Sequence, residues 1–381
     1  MHKQIVTKDS TRTEISEFDN GTEARECQAV IHVTDTSLSY GEQLDALLNA
    51  YDELRSNELR GTEAVFKRYY LSDAANQAAT IYALAAEGSD CALSVIEQAP
   101  LDGTKVALWV YMQAGVATGI SESGLYRAAH GIYTHLWDGN CHRHEAGPEL
   151  QTRLLLNNYV MQLAAEGCRL ADNCIRTWFF VNDVDINYAG MVKARNEVFA
   201  TQSLTPATHF IASTGIGGRQ EDANVCVQMD DYAIKGIRKE QVKYLCAADR
   251  MNRTSDYGVS FERGTCVEYG DRHHAFISGT ASIDRNGDIV YPGDIRKQTE
   301  RMLGNVDALL GEAGCTFDDV AQMTVYLRDP ADYSTVKAMF DRLFPTTPRV
   351  IVHAPVCRPG WLIEMECMAI CPACHKEFAP F

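Results

Sequence analysis

The chain repeats itself, and this constrains its fold more than anything else in the sequence. At a constant offset of 147 residues, Gln151 and Gln298, Thr152 and Thr299, Leu156 and Leu303, Asn158 and Asn305, and Leu163 and Leu310 coincide. So do the pairs Gly167-Cys168 and Gly314-Cys315, then Asp172 and Asp319, then Thr177 and Thr324. The match runs on, slightly shifted, into Val192-Lys-Ala and Val336-Lys-Ala. Helical periodicity alone reproduces the leucines but not the shared Gln-Thr, Gly-Cys and Asp. A weaker third copy joins through Tyr70-Leu71-Ser72-Asp73, which resembles Tyr326-Leu327-Arg328-Asp329. The reading is therefore three tandem copies, spanning 25–115, 116–238 and 260–371. Residues 1–24 read as a loose polar arm, 239–259 as a charged connector and 372–381 as a tail.

Each copy reads as strands alternating with amphipathic helices. In the first, strands are expected over 27–37, 64–71, 91–98 and 105–112, with helices over 40–54 and 72–86. In the third, Ile295, Thr299, Met302, Leu303, Val306, Leu309 and Leu310 fall on one helical stripe. Such a helix must cover one face of a sheet, which makes each copy a two-layer α+β sandwich. The sheet's other face needs cover too, most simply from the next copy. Three fused copies would then close a ring, a pseudo-trimer within one chain, and a monomer is expected.

A formal net charge of −16 argues against nucleic acid as a main partner, because phosphate binding needs a basic face. It leaves room for a small anionic substrate, which needs only two or three arginines. No run approaches ~18 apolar residues, so no membrane partner is expected. The thirteen cysteines are an odd number scattered through a long chain, which suits reduced thiols and a cytoplasmic location. The chain carries no phosphate loop, dinucleotide fingerprint or Ser-His-Asp arrangement, and no cofactor is expected.

Chemistry concentrates in the strand Trp361-Leu-Ile-Glu364-Met-Glu366-Cys367. Alternation puts Glu364 and Glu366 on one face, and two carboxylates in so apolar a strand are costly unless paired, hydrated or used. Upstream, 348–360 reads as a second strand and a turn, a hairpin bringing Arg349 and Arg358 near the acids. The bland alternative is an edge strand with solvated acids, Arg328 and Arg349 being ordinary partners of Asp329 and Glu366, and Cys357 a small apolar filler.

In the third copy, Phe276-Ile-Ser-Gly279-Thr-Ala281-Ser-Ile283, Gly293-Asp294, Gln298-Thr299, Asn305, Val325-Tyr-Leu-Arg328-Asp329 and Glu364-Met-Glu366 resemble the YjgF/Rid (reactive intermediate deaminase) superfamily. The resemblance implies chorismate-mutase-like subunits assembled as trimers with clefts between neighbours. Arg349, fifteen residues before Glu364, looks like that family's substrate-carboxylate arginine beside its acidic partner. A narrower resemblance covers more of the chain. The Ser-Gly-Thr-Ala281-Ser-Ile run, Ala354-Pro-Val-Cys357-Arg358 before Glu364, Asp256-Tyr257-Gly-Val-Ser-Phe261-Glu-Arg263, Arg176-Thr-Trp178 and Ala212-Ser-Thr-Gly215 are similar to chorismatase segments. That family hydrolyses the enol ether of chorismate and releases pyruvate. The resemblance implies Glu364 as general acid, with Arg358, Arg263, Arg349, Arg328, Tyr257, Ala281 and Cys357 forming the substrate pocket. The alternatives are a Rid-type enamine/imine hydrolase, which needs only Arg349 and Glu364, and a non-catalytic ligand-binding or scaffold protein.

The tail Cys371-Pro-Ala-Cys374-His375 matches a haem-attachment spacing without room for a haem pocket. No metal site is assigned. Cys371, Cys374 and His375 are weak candidates that Cys141-His142-Arg-His144 could complete.

Overall fold

The computed structural model describes residues 1–22, 24–86 and 91–381, with the side chain of Tyr257 outside the described set. Three six-stranded mixed sheets follow one another along the chain. The first holds β1 (His2–Lys8), β2 (Thr11–Phe18), β3 (Glu26–Val33), β4 (Thr62–Leu71), β5 (Ala92–Glu97) and β6 (Val106–Ala114), with helices α1 (Tyr40–Ser56) and α2 (Ala74–Ala86). The second holds β7 (Ala117–Ile120), β8 (Tyr126–His130), β9 (Tyr133–His142), β10 (Cys174–Val181), β11 (Ala212–Gly217) and β12 (Val227–Lys235). Its helices are α3 (Pro148–Ala165), the single turn α4 (Leu170–Asn173) and α5 (Val184–Thr201). The third holds β13 (Val242–Leu245), β14 (Gly264–Glu268), β15 (Arg272–Ala281), β16 (Val320–Leu327), β17 (Arg349–His353) and β18 (Ile363–Pro372), with α6 (Ile295–Glu312) and α7 (Tyr333–Leu343).

The strand orders are β1-β2-β3-β6-β4-β5, β7-β8-β9-β12-β10-β11 and β13-β14-β15-β18-β16-β17, which is one order three times over. In each, the last pair is parallel and is joined through a crossover helix, as parallel neighbours require. A shared buried glutamine explains part of the repeat. Gln43, Gln151 and Gln298 sit near the start of α1, α3 and α6. Their amide oxygens accept the N–H of Lys105 (2.8 Å), Cys226 (2.8 Å) and Leu362 (2.9 Å), just ahead of the central strands β6, β12 and β18. The glutamine thus ties the covering helix to the middle of its sheet, and apolar stripes such as Met302, Val306, Leu309 and Leu310 complete the contact. No helix among the described residues is long and apolar enough to cross a membrane.

The three units touch one another in turn. Arg68 of β4 pairs with Asp230 of β12 at 2.7 Å, and Arg176 of β10 pairs with Glu366 of β18 at 2.7 Å. Tyr70 of β4 bonds Thr324 of β16 at 3.1 Å, and Ser16 donates to the carbonyl of Ala321 at 2.6 Å. Every one of these groups is buried, where a charge without a partner would be strongly destabilising.

Three readings change. Residues 1–24 are not a loose arm: β1 and β2 form a hairpin extending the first sheet. Its polarity is deceptive, because the buried Glu14 and Ser16 of β2 face the third unit, whose groups bond them. Within 239–259, β13 is the edge strand of the third sheet, paired with β14. The strand holding Arg349 is not in a hairpin with the Glu364 strand either. β17 runs parallel to β16, and β16 separates it from β18. Arg349 therefore lies two strand spacings, ~10 Å, from the Glu364 strand.

Candidate active site

Glu364 sits on β18 between Ala281 of β15 and Tyr326 of β16, its direct cross-strand neighbours. The β15–β18 register slips between Ile277 and Thr280, a bulge beside the acid. Gly279 lies in this bulge. A Cβ there would fall 2.0 Å from Glu364 Oε1, so only glycine leaves the carboxyl its space. Glu364 is 5% exposed, and its pKa is pushed up to about 8. Burial is the main cause and the charge of Glu366 adds to it, while Arg176 and Arg263 pull more weakly the other way. The carboxyl thus keeps its proton at neutral pH. Glu366, two residues on, is fully paired instead: Arg176, the indole of Trp178 (2.9 Å) and Thr214 all donate to it.

Glu364 opens into a cleft of about 290 Å³ between the third unit and α5 and β11 of the second. Three guanidinium groups line it. Arg195 projects from α5 and is 1% exposed, its charge 5.8 Å from the Phe179 ring centre and 6.0 Å from that of Phe261. Arg263 is anchored through Nε and Nη2 to the carbonyl of Asn252 at 3.0 and 2.9 Å. Arg358 lies 4.7 Å over the Trp361 ring and donates to the carbonyl of Gly287 at 3.2 Å, while the Trp361 indole is tied to the carbonyl of Ser282. Cys357 completes this wall. Burial pushes its thiol up to about 12, and Glu364 contributes, so it is an uncharged lining group. Three cations around one neutral acid suit an anionic ligand and repel a metal ion.

Five residues singled out from sequence therefore meet here: Glu364, Ala281, Cys357, Arg358 and Arg263. Arg328 does not; it clasps Asp185 on the first turn of α5, joining two units rather than pairing with Asp329. Tyr257 closes a 3₁₀ turn, Thr254–Tyr257, and its side chain lies outside the described residues. Sequence reasoning missed Arg195 and Tyr188, which both line the cleft from α5. A signal existed for Arg195, which occupies the apolar stripe of α5 with Met191, Val198 and Phe199, where a charge needs a reason to be.

A family model described as Endoribonuclease L-PSP matches residues 267–371. A RutC family protein of Pyrococcus abyssi is 35% identical over 96 residues, which are 25% of this chain and 76% of that protein. The chain belongs to the YjgF/Rid superfamily. Its relatives include a protein named 3-aminoacrylate deaminase RutC from Acinetobacter baylyi, 32% identical over 96 residues, or 25% of this chain and 76% of that one. Among solved structures, the crystal structure of a chorismatase superposes with a TM-score of 0.64, covering 81% of this chain and 93% of its own at 18% identity. At that identity the likeness is one of fold.

In this YjgF/Rid chain a second cleft, also about 290 Å³, lies between the first unit and α7 and β17 of the third. The strand registers make it the counterpart of the first. Ser213 of β11 and Arg349 of β17 occupy equivalent positions, as do Glu364 of β18 and Ala107 of β6. Arg349 and Glu364 therefore face different clefts. In a ring of three identical copies, each cleft would receive one of each. Arg349 is bound where it stands, by Asp341 and by the carbonyls of Phe344 (2.6 Å) and Thr347 (3.3 Å), while its backbone N–H donates to Glu14.

Proposed function

We propose that the chain is a chorismatase-like hydrolase that cleaves the enol ether of chorismate, or of a similar small dicarboxylate, in the Glu364 cleft. The observation that carries this reading is a buried carboxyl with a pKa of about 8 facing a cleft lined by three guanidinium groups. Glu364 donates its proton to the terminal methylene carbon of the enol ether, and an oxocarbenium ion forms at the adjacent carbon. Water adds there, its proton returning to Glu364, and the resulting hemiketal collapses to pyruvate and the ring alcohol. Arg358, Arg263 and Arg195 hold the two carboxylates, each guanidinium matching a carboxylate with paired hydrogen bonds. Ala281 and Cys357 shape the apolar side. Because the guanidiniums bind the ligand rather than Glu364, they leave the acid protonated.

The chain acts as a monomer in the cytoplasm, its three units taking the place of three subunits, and the recurrence of one strand order three times in one chain supports the monomer. The test is direct: incubate the purified protein with chorismate and follow pyruvate, with light scattering for the mass. Sequence relatives named as deaminases favour a second reading, hydrolysis of an enamine or imine. The Glu364 cleft has Ser213 where that reading wants Arg349, which weighs against it. Hydrolysis of iminoacrylate generated in situ, without pyruvate from chorismate, would establish the second reading. Inertness toward both would leave a ligand-binding or scaffold role.

A further inference from the structure

The motif at the C-terminus finds partners that its spacing did not indicate. Cys141 lies beside Asp138 and Asp231, and His144 pairs with Asp222, so the 141–144 cluster does not join the tail. His375 instead meets His273 of β15 and Glu268 of β14. Glu268 and His273 are direct cross-strand partners and so project from the same side of the sheet. The two histidine Nε2 atoms are 2.6 Å apart, and each is 3.7 Å from Glu268 Oε1. His273 Nδ1 faces the carbonyl of Ala313 at 3.2 Å. A carbonyl can only accept, so this contact places the proton on Nδ1 and turns the Nε2 lone pair into the cluster. The same outer contact orients metal-binding histidines in general.

A proton shared between two imidazoles would account for the short nitrogen separation. The carboxylate oxygen, equidistant from both nitrogens, adds a third ligand atom to the pair. A tetrahedral zinc with ligand bonds of ~2.0–2.1 Å separates its ligand atoms by about 3.3 Å, between the two spacings found here. Small opposite movements, nitrogens apart and carboxylate inward, would seat it. Lys243 competes, with its ammonium 2.5 Å from Glu268 Oε1, but its side chain is 58% exposed and free to turn to water. Cys371 stands on the same row as His273, yet its sulfur approaches Cys315 Sγ at 2.8 Å and does not join the converging atoms.

We propose that Glu268, His273 and His375 bind a divalent metal of the zinc class, with water completing the coordination. Two of the ligands belong to the β14–β15 hairpin and the third to residues 372–381. The metal therefore staples the tail where it already docks, through His375 N–H to Gly270 O (3.0 Å), Gly270 N–H to Ala379 O (2.7 Å) and the buried Phe381.

The test uses the full chain, stripped with a chelator and titrated with Zn²⁺ by calorimetry, with Co²⁺ as a coloured probe. One equivalent should bind, Co²⁺ should give a visible absorption band, and amide exchange in 372–381 should slow. His273→Ala and His375→Ala should each lose the binding while keeping their far-UV circular dichroism, and His144→Ala should keep it. The absence of saturable binding would overturn the proposal. So would binding that survives both histidine substitutions, or binding that is lost instead in Cys141→Ala.

Discussion

The Glu364 cleft and the Arg349 cleft occupy equivalent places between neighbouring units and have the same volume, yet they are built from opposite chemistries. The first surrounds one protonated acid with guanidinium groups that leave a central space. In the second, acids and bases already answer each other: Arg12 pairs with Glu14, Arg349 with Asp341, and His32 with Asp102 at 3.4 Å. At the third junction, Tyr82 of α2 bonds Asn140 and Gln220 of the second unit. Identical subunits cannot diverge in this way, because a substitution that improves one cleft enters all three. A fused chain can specialise one cleft and let the others become structural.

The strongest test of that contrast is Glu364→Gln, which keeps shape but removes the transferable proton. Turnover should fall ~10²–10⁴-fold in a steady-state pyruvate assay, with the circular dichroism unchanged. Full activity would end the assignment of chemistry to this cleft. Gly279→Ala comes next. Its new methyl would meet the Glu364 carboxyl, and displacing a catalytic group by about 1 Å should lower kcat ~10²-fold. The first sheet has no bulge at the matching place, since β3 pairs with β6 without a register slip, so Val30→Ala should leave turnover unchanged.

A smaller and different effect is expected from Arg358→Ala. Losing a charged hydrogen-bond partner of the ligand should raise KM about 10- to 100-fold, with less change in kcat. A pure kcat effect would instead make Arg358 part of the chemistry.

The acid also sets a pH dependence. In the proposed reaction Glu364 acts in its protonated form, so kcat/KM should fall tenfold per pH unit above about 8. Stability follows the same group. Its folded pKa of about 8 lies above the ordinary 4.5, so between these values the folded state holds a proton that the unfolded state releases. Stability should decline as pH rises through this window and level off above it, and Glu364→Gln should remove that slope in urea titrations at several pH values.

Only a small catalytic effect is predicted for Arg349→Gln. It should change kcat/KM by no more than about twofold, because distant sites act independently. It should cost about 1–2 kcal/mol of stability through its lost bonds to Phe344, Thr347 and Asp341. A collapse of turnover in a folded Arg349→Gln protein would return the arginine to the working site and favour the imine-hydrolase reading.

What the sequence determined by itself was local or periodic. The offset of 147 marks α3 and α6, whose bounds differ by that same number. Apolar stripes located α1 and α6, and alternation put Glu364 and Glu366 on one face of β18. These signals survive in one dimension because a helix or strand exposes its periodicity to its own neighbours in the chain. The tertiary structure alone decided which residues share a cleft. Arg349 and Glu364, fifteen positions apart, face different clefts because β16 lies between their strands and because each cleft takes one wall from each of two units. Arg195 and Tyr188 enter the Glu364 cleft, and His375 reaches His273, for the same reason. The polar strand β2 was illegible because its buried serine and glutamate are bonded by a unit some three hundred residues away. Packing between units sets these distances, and it depends on how complete sheets stack rather than on any pattern along a single strand.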